Sequence, residues 1–233
     1  MAWVETFGSV FLIKYGEFGM KLISVNLGHE RILQHKDRVE RTGIFKLPTE
    51  VPAKVTKLGL ENDVIVSKKH HGGPDQAVYV YGTADYEWWS KELGKVLAPG
   101  TFGDNLTISE LESAQFNIGD YLHIGEVTLQ VSAPRIPCNT FAARMGDPLW
   151  VKKFRHAERP GLYCRVIDEG FVQIGDDVST EEYAGETISV LQMYRDYYLR
   201  DKSREILIQH LNAPIAIRAR KDLEKDLQKL SAE

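Results

Sequence analysis

The feature that most limits what this chain can fold into is the brevity of its apolar runs. Between residue 20 and about residue 186, the segments 51–58, 63–66, 77–81, 105–108, 121–124 and 127–131 are each of strand length. Gly59, Gly82, Gly119-Asp120 and Gly125-Glu126 separate them. Runs this short, closed by glycine, suit antiparallel strands folded into a barrel or sandwich. Val127-Thr128-Leu129-Gln130-Val131 alternates with the two-residue period of a strand that has one buried face. Segment 121–131 reads as a hairpin around Gly125-Glu126, and 164–174 as another around Asp168-Glu169-Gly170. Two helices interrupt the strands: 83–93, opened by Thr83 ahead of Asp85, and a short one after Cys138.

The period changes near residue 187, where 189–198, 201–211 and 213–230 read as helices. Asp201 is placed to cap the second, and Pro214 to sit in the first turn of the third. Ala216, Ala219, Leu223, Leu227 and Leu230 fall on one face of that third helix. The expected organisation is therefore mainly β, α+β overall. A β-barrel with a few short helices spans 20–186, and a three-helix subdomain spans 187–233. Residues 1–19 read either as an extension upstream of a natural start at Met20 or as an added edge strand.

Composition removes several function classes. The 29 basic and 33 acidic residues leave a net charge of −4, against a 43% hydrophobic content. A disordered chain needs fewer apolar residues, and a DNA-coating protein needs a positive excess to neutralise phosphates, so no nucleic-acid partner is expected. No run approaches the roughly 18 apolar residues of a membrane span, so no membrane partner is expected either. Val10-Phe11-Leu12-Ile13 lacks the basic flank and cleavage site of a signal peptide. Two cysteines, Cys138 and Cys164, are too few for a disulfide framework or a four-thiolate metal site. Reduced thiols in a cytoplasmic protein are the expectation.

Four clusters carry candidate chemistry. Pro134-Arg135-Ile136-Pro137-Cys138 follows a strand and precedes the helical segment 139–145. The thiol then lies near a helix N-terminus, with Arg135 close by. Both favour the thiolate, which binds soft metals and attacks electrophiles; a buried structural cysteine is the alternative. Cys164, inside a strand, reads as structural. Lys68-Lys69-His70-His71-Gly72-Gly73-Pro74-Asp75-Gln76 offers backbone amides for an anion or cofactor phosphate, or is a simple glycine turn. It is a poor zinc site, because adjacent histidines on an extended chain point opposite ways. Gly100-Thr101-Phe102-Gly103-Asp104-Asn105-Leu106 places an acid and an amide before a strand, without the βαβ unit of a dinucleotide site. Arg159-Pro160-Gly161-Leu162-Tyr163-Cys164-Arg165 adds guanidiniums. Arg135, Arg159 and Arg165 around a thiol would suit an anionic ligand, although each alone also suits a surface ion pair.

These clusters, with Arg41-Thr42-Gly43-Ile44-Phe45-Lys46 and Ile118-Gly119-Asp120, resemble in their order the MOSC family, named for the C-terminal domain of molybdenum-cofactor sulfurases. The likeness is to the bacterial YiiM-like branch and covers about residues 20–230, including the helical tail. Asp104 stands where the family commonly has Glu, and Asn139 where a bulky residue is frequent. The resemblance implies a β-barrel holding a molybdenum–pterin cofactor whose metal is ligated by Cys138. It also implies reduction of small N-hydroxylated compounds such as hydroxylamines and amidoximes. His70, His71, Gly72, Gly73, Asp75, Arg135, Arg159 and Arg165 would hold the cofactor, and Asp104 and Asn105 would orient ligand or line the pocket. No pyridoxal phosphate, flavin or iron–sulfur cluster is expected in the chain. Electrons would come from an external flavoprotein, or from a ferredoxin-type carrier and its reductase. The alternative is a protein that carries the cofactor, or a sulfur on Cys138, without reductase turnover.

Overall fold

The computed structural model describes residues 19–35, 38–66 and 71–231. The expected extension therefore lies, save for Gly19, outside the described residues. Seven strands close a mixed barrel: β1 (Met20–Gly28), β7 (Val78–Gly82), β8 (Leu106–Ile108), β9 (Tyr121–Ile124), β10 (Val127–Pro134), β11 (Leu162–Asp168) and β13 (Asp177–Glu181). Around the barrel the order is β1-β13-β9-β10-β11-β7-β8 and back to β1. Only β7 and β8 run parallel, because the chain between them crosses over through helix α1 (Thr83–Leu93). Strand β1 acts as the closing stave. Its start pairs with β13, its middle with β8, and its end with β4 (Lys46–Thr49), which lies outside the ring.

Two hydrophobic layers meet at β7. Val78 and Val80 point into the barrel core with Leu22, Leu106, Ile108 and Leu129. Tyr79 and Tyr81 point the other way, into an aromatic layer with Tyr86, Trp89, Phe102, Phe141 and Phe154. The two-residue strand period thus feeds two cores from one strand. Helices α2 (Asn139–Arg144) and α3 (Trp150–Ala157) roof the aromatic layer, with Trp150 and Phe154 buried one helical turn apart. Helix α3 was not expected, although its spacing of four carries the helical signal.

Three helices follow the barrel: α4 (Val190–Tyr197), α5 (Arg204–Asn212) and α6 (Ile217–Leu230). Val190, Met193, Leu207, Ile215 and Leu223 belong to the same hydrophobic cluster as the barrel interior. The helices complete that core rather than building one of their own. Ser203, not Asp201, caps α5, its Oγ accepting from the Ile206 amide at 3.4 Å. Pro214 precedes α6 instead of opening it.

Two strand expectations fail. Segment 171–174 does not form a hairpin with β11. Instead β12 (Gly170–Val172) pairs with β5 (Ala53–Thr56), which also pairs with β6 (Gly59–Leu60), because β11 is already flanked by β10 and β7. Segment 63–66 is a loop, not a strand. It is drawn inward because Asp63 is buried in an ion pair and the Val64 amide donates to the Gly28 carbonyl at 3.0 Å. A second hairpin, β2 (Arg31–His35) with β3 (Arg38–Thr42), leads into this region.

Gly43 follows β3 and lets two backbones touch. A Cβ there would lie 1.8 Å from the Val64 carbonyl oxygen. Gly43→Ala must push the two loops apart, and we expect a loss of about 2–4 kcal/mol in chemical denaturation. Wild-type stability in that variant would show that the contact is dispensable.

Candidate functional site

The end of β10 and the loops beside it border a cavity of about 620 Å³, within the range of small-molecule sites. Past Pro134 the chain runs without regular secondary structure to Cys138, which is the residue preceding α2 and has an extended φ of −121° and ψ of 172°. The half-buried Cys138 thiol faces this cavity, with its Sγ 4.0 Å from Nε2 of His71. Cys164 lies in the barrel core, where burial pushes its thiol far above the ordinary range.

Arg135 forms the inner cationic wall and is 4% exposed. Its guanidinium donates to the Phe102 carbonyl and lies over the rings of Phe141 and Tyr79, at 4.5 and 5.1 Å. An arginine stays charged in such a setting. His71 is shifted the other way: burial first, then the charges of Arg135 and Arg218, lower its pKa. Its ring is therefore neutral at pH 7, offering one N–H and one lone pair.

A buried ion pair lies beside the cavity. Lys46 Nζ is 2.5 Å from Asp63, and the two side chains are 8% and 2% exposed. Asp63 also accepts from the Gly28 amide at 2.7 Å and from Asn105 Nδ2 at 2.9 Å. Desolvation lowers the Lys46 pKa, and the adjoining Asp63 opposes that shift. Lys46 lines the cavity, as do Tyr79, Tyr163 and, from α4, Tyr197. None of these was singled out in the sequence. Lys46 lies in the 41–46 motif, whereas nothing local marks Asp63 or Tyr197.

The structure thus gathers Cys138, His71, Gly72, Arg135 and Asn105 at one cavity. His70 lies outside the described residues. Other expected site residues lie elsewhere. Gly73 takes a left-handed φ of 86° that turns the chain into Asp75. Asp75 accepts from Arg165 Nε at 3.0 Å and from the Ile217 amide of α6 at 2.7 Å. The rest of the Arg165 guanidinium is taken by Gln130, Pro214 and Ile215. Arg159 is paired with Asp85 and Glu112, at 2.8 and 3.1 Å. These two arginines hold the scaffold together and do not line the cavity.

Asp104 is fully buried behind the wall, where it accepts from Tyr86 Oη and Thr107 Oγ1, each at 2.7 Å. The Gly100 amide and Asn26 Nδ2 donate to it from 3.3 and 3.4 Å. Burial raises its pKa, and these donors pull it back. Among the described residues, no group of three or more His, Cys, Asp and Glu side chains could hold a metal ion. Asp104→Asn turns an amide N–H₂ toward donors, so we expect a stability loss of about 2–4 kcal/mol in denaturant titration. A neutral outcome would mean that Asp104 is protonated in the folded protein.

The MOSC domain family matches residues 67–179. The chain is 34% identical over 169 residues to the uncharacterized protein YflK of Bacillus subtilis, covering 72% of this chain and 76% of that one. A protein named Reductase from Gibberella moniliformis is 29% identical over 178 residues, 75% of this chain but only 32% of its own length. The crystal structure of YiiM from Geobacillus stearothermophilus superposes with a TM-score of 0.73 at 25% identity, covering 89% of this chain and 99% of that one. Family, relatives and fold agree with the order of motifs around the cavity, and the chain belongs to the MOSC domain family.

Proposed function

We propose that the cavity binds a molybdenum–pterin cofactor and that the protein reduces small N-hydroxylated compounds with electrons from an external donor. The observation that carries this reading is the solitary Cys138 thiol, facing a cationic cavity beside His71 and Arg135. The donor set fits such a group. A bare ion needs several protein ligands, whereas a metal that brings its own sulfur ligands needs one soft protein ligand and a pocket for its organic part. Cys138 would be that ligand. When bound, the cofactor supplies two-electron chemistry that removes the oxygen of an N–OH group as water.

The chain's own residues prepare the reaction. Arg135 places a permanent positive charge against the cavity, in surroundings where its interaction with an anionic ligand is little screened. His71 can accept a proton at its free ring nitrogen and release one from the other near Cys138, and the overall conversion consumes two electrons and two protons. Asn105, held by Asp63 and the Tyr79 amide, keeps its stretch of wall in place. Gly72, at a left-handed φ of 71°, lines the cavity where a Cβ would lie 2.9 Å from Ile65 Cδ1.

Support for reductive chemistry comes from the family and from the relative named Reductase. Electron supply is external in this reading. No G-x-G-x-x-G βαβ unit occurs for a nicotinamide, and two cysteines cannot hold a ferredoxin-type cluster. Among the described residues, no helix is long and apolar enough to cross a membrane.

Full-length protein, made in a host that synthesises the cofactor, should reduce benzamidoxime to benzamidine with an artificial reductant. NADH alone should give no turnover, and adding a flavoprotein reductase with its carrier should restore it. Cys138→Ser should abolish turnover while leaving the fold intact, because a hard oxygen replaces a soft ligand at similar volume. A cofactor-loaded protein that turns over no N-hydroxylated compound would instead be a cofactor or sulfur carrier.

A further inference from the structure

Two of the C-terminal helices come up to the cavity, α4 directly and α6 through a residue of the cavity wall. Tyr197, at the end of α4, lines it while remaining 56% exposed. At the start of α6, Arg218 donates to Oε1 of Gln76 at 3.3 Å, and Gln76 lines the cavity as well. The attachment beneath Arg218 is firm. Asp75 accepts both Arg165 Nε and the Ile217 amide, and the Ala216 amide donates to the Ser132 carbonyl at 3.0 Å. Asp75 and Arg165 neutralise each other, whereas Arg218 is held only by a neutral amide among the described residues. Its charge, one hydrogen bond away from the cavity wall, is uncompensated among these residues, and its planar fork suits a carboxylate or phosphate oxygen pair.

We propose that Arg218 and Tyr197 form an outer subsite of the cavity, in which Arg218 binds an oxyanion carried by the substrate while the Tyr197 ring packs against its body. The preferred substrates would then be N-hydroxylated compounds with an anionic substituent at the end remote from the N–OH group. The helical tail would select substrate in addition to completing the barrel core. This deepens the reductase reading and rests on it for the identity of the reacting group.

The test compares cofactor-loaded full-length protein with Arg218→Gln and Arg218→Lys, using benzamidoxime, 4-carboxybenzamidoxime and 4-phosphonobenzamidoxime. Binding is read by calorimetry, and turnover by steady-state kinetics. The wild type should bind the two anionic compounds about ten-fold more tightly than the neutral one. Arg218→Gln should erase that preference, raising KM for the anionic compounds more than for the neutral one, and Arg218→Lys should keep part of it. The stronger of the two anionic ligands identifies the group recognised. Equal binding of all three by the wild type, or binding of none, overturns the proposal. So does an equal loss for charged and neutral compounds in Arg218→Gln, or a fall in its cofactor content, which would assign Arg218 to the cofactor instead. A calorimetric preference without any turnover would leave the subsite standing and refute the reductase reading. Turnover of all three with the same KM would do the reverse.

Discussion

Strand β7 is buried on both faces, and the cavity depends on that double burial. Val78 and Val80 are locked into the barrel, so Tyr79 and Tyr81 must face the aromatic layer, without rotational freedom about the strand. Tyr79 then performs several tasks. Its amide donates to Asn105 Oδ1 at 3.2 Å, its hydroxyl donates to the Pro160 carbonyl at 2.9 Å, and its ring lies under Arg135. One strand register therefore sets the amide wall, the approach to β11 and the seat of the inner cation. Gly161 fits this arrangement, since a Cβ there would lie 2.6 Å from the Tyr79 ring.

Burying Arg135 is costly, and its surroundings show how the cost is met. Desolvation of a guanidinium amounts to several kcal/mol unless hydrogen bonds and neighbouring charge offset it. Here one carbonyl and several aromatic faces offset part of it, without a bonded carboxylate among the described residues. A carboxylate partner would have neutralised the charge. Ring faces leave it available to whatever enters the cavity. The Lys46–Asp63 pair behaves differently, because there the cation is fully matched and the pair mainly fixes loop 63–66 against Asn105.

Much of the fold was legible because it depends on local period and punctuation. Helix 83–93 and hairpin 121–131 follow from spacing and glycine placement alone. Cys138 was legible too, since the prolines before it and the short helix after it are both written locally. Arg165 was not. It shares a face of β11 with Tyr163, which lines the cavity, but Pro214 and Ile215, from a segment 49 and 50 residues later, cover it. Asp104 and Asn105 show the same limit at shorter range. The two neighbours face different ways: Asp104 joins Tyr86 and Thr107 behind the wall, while Asn105 lines the cavity and donates to Asp63. Arg218 and Tyr197 belong to the helical tail, and only its docking brings Tyr197 to the cavity and Arg218 to Gln76 in the cavity wall.

In the proposed function, Cys138 is the protein ligand of a molybdenum centre in this cavity. X-ray absorption at the molybdenum edge, on cofactor-loaded full-length protein, counts the sulfur atoms bound to the metal. Ligation by Cys138 predicts one sulfur fewer in Cys138→Ser than in the wild type, and an unchanged count in Cys164→Ser. An unchanged count in Cys138→Ser, or a wild type that takes up no molybdenum from a cofactor-producing host, would contradict it.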